Sequence, residues 1–262
     1  MGKIKLGKPP IVERWVSFDF EPNASKTAWD GKLANELAER LASEFPAKDH
    51  IWAQQFRVTH AGPGTPVQPE FLIRLDCVRC TNTTSTELFQ IRDDQIAYNR
   101  LRGNEEWPGF NAFLDRALHL LTEYRQTFQP ARIIAAVLHE VDIVEIPFTP
   151  DGQIQLDEYF SLIKDLPETP FGLIQGFASQ YVTIAPHDRE PLTISLQQIP
   201  VEPGANSLRF QVEWDKKCAS LDFSTEESIR FGLNTNHEFM LNCFEQAFLT
   251  TKCWDLFEPS GA

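Results

Sequence analysis

Ile11-Val12-Glu13-Arg14-Trp15-Val16-Ser17-Phe18-Asp19-Phe20 sets the pattern from which the fold can be read. Val12, Val16, Phe18 and Phe20 fall on one face and Glu13, Ser17 and Asp19 on the other, the period of two that marks a half-buried strand. Glu21-Pro22-Asn23-Ala24-Ser25 interrupts it, and Trp29, Leu33, Leu37, Leu41 and Phe45 then recur every four residues as far as Pro46. That spacing predicts an amphipathic helix with one apolar stripe.

Strand patterns resume at Ile51 to His60, Phe71 to Arg79, Thr86 to Ile91 and Ile96 to Leu101. The polar link Arg92-Asp93-Asp94-Gln95 predicts a tight turn and a hairpin between the last two. Gly62-Pro63-Gly64-Thr65-Pro66 is too rich in Gly and Pro for regular structure and reads as a surface loop. Phe110, Phe113, Leu114, Ala117, Leu118, Leu121, Tyr124 and Phe128 follow helical spacing, with Pro108 near the start and Pro130 at the end.

The second half repeats this order. It shows a strand through Ile133 to Ile146, a shorter helix around Leu156 to Leu166, and strands at Phe171 to Ala185, Leu192 to Ile199 and Leu208 to Trp214. A weaker strand follows at Ala219 to Phe223, then a helix carrying Phe239, Met240, Cys243, Phe244, Ala247 and Phe248 on one stripe. A repeat of about 120 residues is too long for a solenoid unit, so two fused copies of one α+β unit are expected. The expected organisation is a basic tail at 1–10, a first repeat at 11–130, a second at 131–257 and a short tail at 258–262. Side by side, the copies would form a curved antiparallel sheet with long helices on one face. Strand, helix, four strands, helix resembles the order in each half of the TATA-binding-protein fold, and a similar order occurs in helix-grip folds.

Hydrophobic residues make up 42% and charged residues 23% of the 262, which is ordinary globular usage and argues against disorder. No apolar run reaches the roughly 18 to 20 residues of a membrane span, and Met1 to Pro10 lacks the apolar stretch of a secretory signal, so a cytoplasmic, soluble protein is expected. Five cysteines, an odd number, suit reduced thiols better than a disulfide framework. The net charge of −13 is uneven: residues 1–130 hold 16 basic and 17 acidic side chains, and residues 131–262 hold 8 and 20. An acidic field repels phosphate backbones and attracts a basic protein. The expected partner is therefore a protein, basic in character, with no nucleic acid and no membrane.

Three places resemble a sporadically distributed family of uncharacterised bacterial proteins of about 250 residues: Pro9-Pro10-Ile11-Val12-Glu13, the hairpin from Gln90 to Asn99 running on to Trp107-Pro108-Gly109-Phe110, and Ile146-Pro147. The family's strand Gly-Leu-Arg-Tyr-Ile-Asn has its counterpart here in Val137-Leu138-His139-Glu140-Val141-Asp142, in which only the leucine is kept. The resemblance implies architecture and a bacterial, cytoplasmic setting, and assigns no particular chemistry.

Chemical motifs are sparse. Cys77-Val78-Arg79-Cys80 has metal-ligand spacing but no second pair, and no His-Glu-x-x-His, phosphate loop or Gly-x-Ser-x-Gly elbow occurs. No catalytic residue, metal or cofactor is therefore assigned. His139 alternates with Val137, Val141 and Ile143 and reads as a hydrogen-bonded core histidine, while Glu140 and Asp142 share the other strand face, either solvated or a carboxylate pair for acid–base work. The candidate binding residues are His139, Glu140, Asp142, Tyr98, Arg100, Glu213 and Asp215. Two function classes follow: a non-enzymatic protein-interaction protein that neutralises or scaffolds a basic partner, or a small-ligand carrier or enzyme with a helix-grip pocket. The second needs a cavity lined by residues such as Trp15, Trp52, Tyr98 or Trp214. A packed core beside an exposed patch favours the first.

Overall fold

The computed structural model of the chain describes residues 10–21, 29, 31–59, 68–103, 107–148, 156–161, 178–202, 204–248, 253 and 255–257. These form an α+β fold of nine antiparallel strands and three α-helices. The chain divides into two compact units, Val16–Ile134 and Ala135–Ala262, the latter with Met1–Trp15. Strand β1 (Ile11–Phe20) therefore contributes its first half to one unit and its second half to the other.

In the Val16–Ile134 unit the strand order is β2 (Ala47–Thr59), β3 (Gln68–Thr81), β4 (Glu87–Ile91), β5 (Gln95–Leu101), β1. The amide of Arg92 donates to the carbonyl of Gln95 at 2.8 Å, closing the expected β4–β5 hairpin. Helix α2 (Phe110–Phe128) spans the residues its periodicity predicts and buries Phe113, Leu114, Ala117, Leu118, Leu121, Tyr124 and Phe128. Tyr124 stacks on Phe20 at 4.8 Å, and its hydroxyl reaches the carbonyl oxygens of Arg92 (3.0 Å) and Asp93 (2.9 Å). One side chain thus locks the helix onto both the sheet and the hairpin turn.

Helix α1 (Lys32–Arg40) is shorter than the stripe from Trp29 to Phe45 suggests. Gly31 precedes it at φ +77°, where a side chain is strained. A Cβ at Gly31 would also run into Leu75 Cδ2. Phe45, beyond the helix, is still buried and meets Phe89 edge-on at 4.7 Å.

The second unit orders its strands β1, β6 (Ile133–Pro147), β9 (Ser207–Cys218), β8 (Pro191–Ile199), β7 (Ala178–Ile184). Its core is built from Leu138, Val144, Ile146, Leu192, Ile194, Leu196, Phe210, Val212 and Trp214, with Ile229, Leu233 and Met240 from α3 (Glu226–Asn242). Thr225 caps α3, its hydroxyl accepting the Ser228 amide at 3.1 Å, and Glu226 and Glu227 suit the positive end of the helix dipole.

Two expectations need correction here. Of the helix expected at Leu156 to Leu166, the described residues 156–161 form one 3-10 turn, Leu156–Glu158, followed by a non-helical stretch that buries Tyr159 and Phe160, and 162–166 lie outside the described residues. Ala219 to Phe223 is not a strand. The amides of Ala219 and Ser220 donate to the Glu190 carboxylate at 2.7 and 2.5 Å, so their hydrogen bonds go to a side chain instead of a ladder. The loop at 62–66 and residues 171–177 of the expected β7 lie outside the described residues. No helix among the described residues is long and apolar enough to cross a membrane.

Candidate functional site

Alternation along β6 sends Leu138, Glu140, Asp142, Val144 and Ile146 to one face, and all five are buried. The expectation of a solvated face for Glu140 and Asp142 is therefore overturned. The apolar neighbours at 138, 144 and 146 outvote the two carboxylates, and partners from other strands make their burial tolerable. Arg14, on the apolar face of β1, donates from Nε to Glu140 Oε1 at 2.8 Å. His237 of α3 brings Nδ1 to 3.0 Å from the same oxygen. Burial alone would raise the Glu140 pKa, but Arg14 and then His237 outweigh it and hold the carboxylate at about 2.

Asp142 behaves oppositely. Its Oδ2 accepts the Trp214 indole N–H at 2.9 Å, yet burial, and then the charge of Glu140, push its pKa up to about 8. At neutral pH the pair is thus one carboxylate and one carboxylic acid, the split that acid–base chemistry uses and that structural networks also produce. Both groups are bonded to side chains of their own unit, so the network acts first as a polar lock within that unit's core.

His139 lies on the other face of β6. Trp15 stacks on it at 5.1 Å, and its Nδ1 lies 2.6 Å from Asp215 Oδ1, directly across the β6–β9 ladder. The expected hydrogen-bonded histidine is present, but on the face away from the core residues of β6. Glu213 points the same way as Asp215 and accepts from Gln211. The structure therefore joins His139 to Asp215, and sets Glu140 and Asp142 on the opposite face.

Tyr98 and Arg100 belong to the Val16–Ile134 unit, in a separate cluster. Arg100 Nη1 donates to Glu87 Oε1 at 2.5 Å, and Arg116 of α2 bridges Glu87 Oε2 at 3.3 Å and Glu44. Tyr98 packs on Phe113 at 5.2 Å, and burial first, then the neighbouring Glu87, raise its phenol pKa. These contacts tie α2 to β4 and β5.

Within neither unit do the aromatics proposed as a pocket lining converge. Trp15 and Trp214 take opposite faces in one unit, while in the other Tyr98 is buried against α2 and Trp52 is 59% exposed. Sequence reasoning also passed over Arg14 and Lys216. The signal for Lys216 was its place on the face of Phe210, Val212 and Trp214, and its fully buried Nζ donates to Asp188 Oδ2 at 2.8 Å and the Lys217 carbonyl at 2.9 Å.

Among the described residues, exposed apolar side chains gather on β2 and β3. The two strands pair from Ala47↔Thr81 to Thr59↔Gln68, but β4 meets β3 only over Val78–Thr81. From Trp52 and Leu75 outward the ladder is therefore, among the described residues, a two-stranded arm. Its register puts Trp52, Leu75, Gln54 and Ile73 on one face, continued at the position of Phe71. Leu75 is buried, but Trp52, Ile73 (67%) and Phe71 (75%) stand in water. Large apolar residues grouped this way mark interaction surfaces.

Set against known proteins, the chain matches no family model and no curated protein.

Proposed function

We propose that this is a non-enzymatic protein-interaction protein that docks through the β2–β3 arm. One observation carries the reading: the polar candidates have partners within their own units, while Trp52, Phe71 and Ile73 stand exposed on a ribbon that is two-stranded among the described residues. A lone two-stranded ribbon is marginal in water, and covering its apolar face supplies what it lacks.

The charge of residues 131–262 supports a basic protein as a further partner, drawn to that half by steering. The periodicity repeated along the two halves of the sequence supports descent from one duplicated unit, with a topology like the TATA-binding-protein or helix-grip folds, although the described residues hold four strands between α1 and α2 in the first half and three between β6 and α3 in the second. Composition supports a cytoplasmic setting, and the three motif stretches support kinship with the uncharacterised bacterial family.

The test is association of the full chain, with itself and with host proteins, in the parent and in Trp52→Ser and Phe71→Ser variants whose circular dichroism matches the parent. Loss of association in both variants is expected. Variants that keep every association of the parent overturn the docking role.

A further inference from the structure

We infer that the occupant of the arm's apolar face is the same face of a second copy of this chain, packed about a twofold axis. The inference rests on the arm being a docking element and names what it docks.

Self-recognition needs a surface that tolerates its own image, because an isologous interface sets each patch against itself. On the Trp52, Ile73 and Phe71 face the only polar position out to Phe71 is Gln54, so no like charges meet when two copies pack. The two strands are also nearly neutral: Lys48, Arg57, Arg74 and Arg79 stand against Asp49, Glu70 and Asp76. The chain as a whole carries −13, held mostly in its second half, so copies repel there and meet at least cost on the arm. Finally, a ribbon that is marginal alone requires a partner present wherever the chain is present, which a second copy always is.

Area sets the strength. Aromatic side chains bury roughly 150–250 Å² each, so Trp52 and Phe71 at 59% and 75% exposure, with Ile73 at 67%, offer about 400 Å² per copy. About 800 Å² for the pair falls just short of the roughly 1,000 Å² of a firm interface, so the dimer is weak, with a Kd of micromolar order.

Sedimentation equilibrium of the full chain from about 1 to 200 μM decides the matter. The expected mass rises from 29.9 kDa toward twice that value. Phe71→Ser and Ile73→Ser weaken self-association at least tenfold, while Phe231→Ser, at a 74% exposed position on α3, leaves it unchanged. A parent that stays monomeric throughout, or a dimer indifferent to the arm variants, overturns self-docking. A monomeric parent that still loses a host partner on arm substitution overturns only this inference; a host partner and a dimer both indifferent to the arm overturn the docking role with it.

Discussion

Replacing Asp142 with asparagine tests the split between the two buried carboxyls. Burial and the Glu140 charge raise the Asp142 pKa from 3.8 to about 8, so the folded chain keeps a proton that the unfolded chain releases. The stability this group contributes is complete below about pH 4 and is lost as pH rises toward about 8. One proton corresponds to about 1.4 kcal/mol per pH unit. The substituted amide would keep an acceptor for the Trp214 N–H and has nothing to ionise. Relative to Asp142→Asn, the parent should therefore lose about 1.4 kcal/mol for each unit between pH 5 and pH 7. Glu140 has the opposite sign: with its pKa held at about 2, its contribution is complete above 4.5 and lost in acid, outside this window. The assay is urea unfolding of both proteins at pH 5, 6 and 7 at fixed ionic strength. A difference that stays flat across those three points shows Asp142 ionised in the fold and overturns the assignment of the proton.

Glu140→Gln removes the carboxylate that Arg14 Nε meets at 2.8 Å and should cost about 3–5 kcal/mol at pH 7, whereas the double replacement Arg14→Met with Glu140→Leu should recover most of that loss in the same urea assay. Gly31→Ala meets both a left-handed backbone and Leu75 Cδ2, so a loss of about 1–3 kcal/mol is expected; Gly109→Ala, with open space around its Cβ, should stay within about 0.5 kcal/mol by thermal unfolding.

Periodicity alone located β1, the β4–β5 hairpin and all of α2, because each is specified by which side chains seek a common apolar face. It misjudged Ala219 to Phe223, where the amides answer to Glu190, a residue about 30 positions away in the chain. The candidate residues were legible as polar positions on strands, but their meaning was not. His139 and Asp215 are 76 residues apart and meet only through the β6–β9 register.

Local grammar is thus written along the chain: the α+β class, the long helix between Pro108 and Pro130, and the acidic bias of the second half. Which face of each strand is inside, and which strands run on past their neighbours, emerges only once the strands are assembled. A strand's two faces are set by the whole set of partners above and beside it, so Glu140 and Asp142 follow Leu138 and Val144 inward, and Arg14 and Trp214 supply their partners. Trp52, Phe71 and Ile73 stand exposed where β2 and β3 run on past the last β3–β4 pair, Val78↔Ile91, a fact of register that no run of apolar residues encodes.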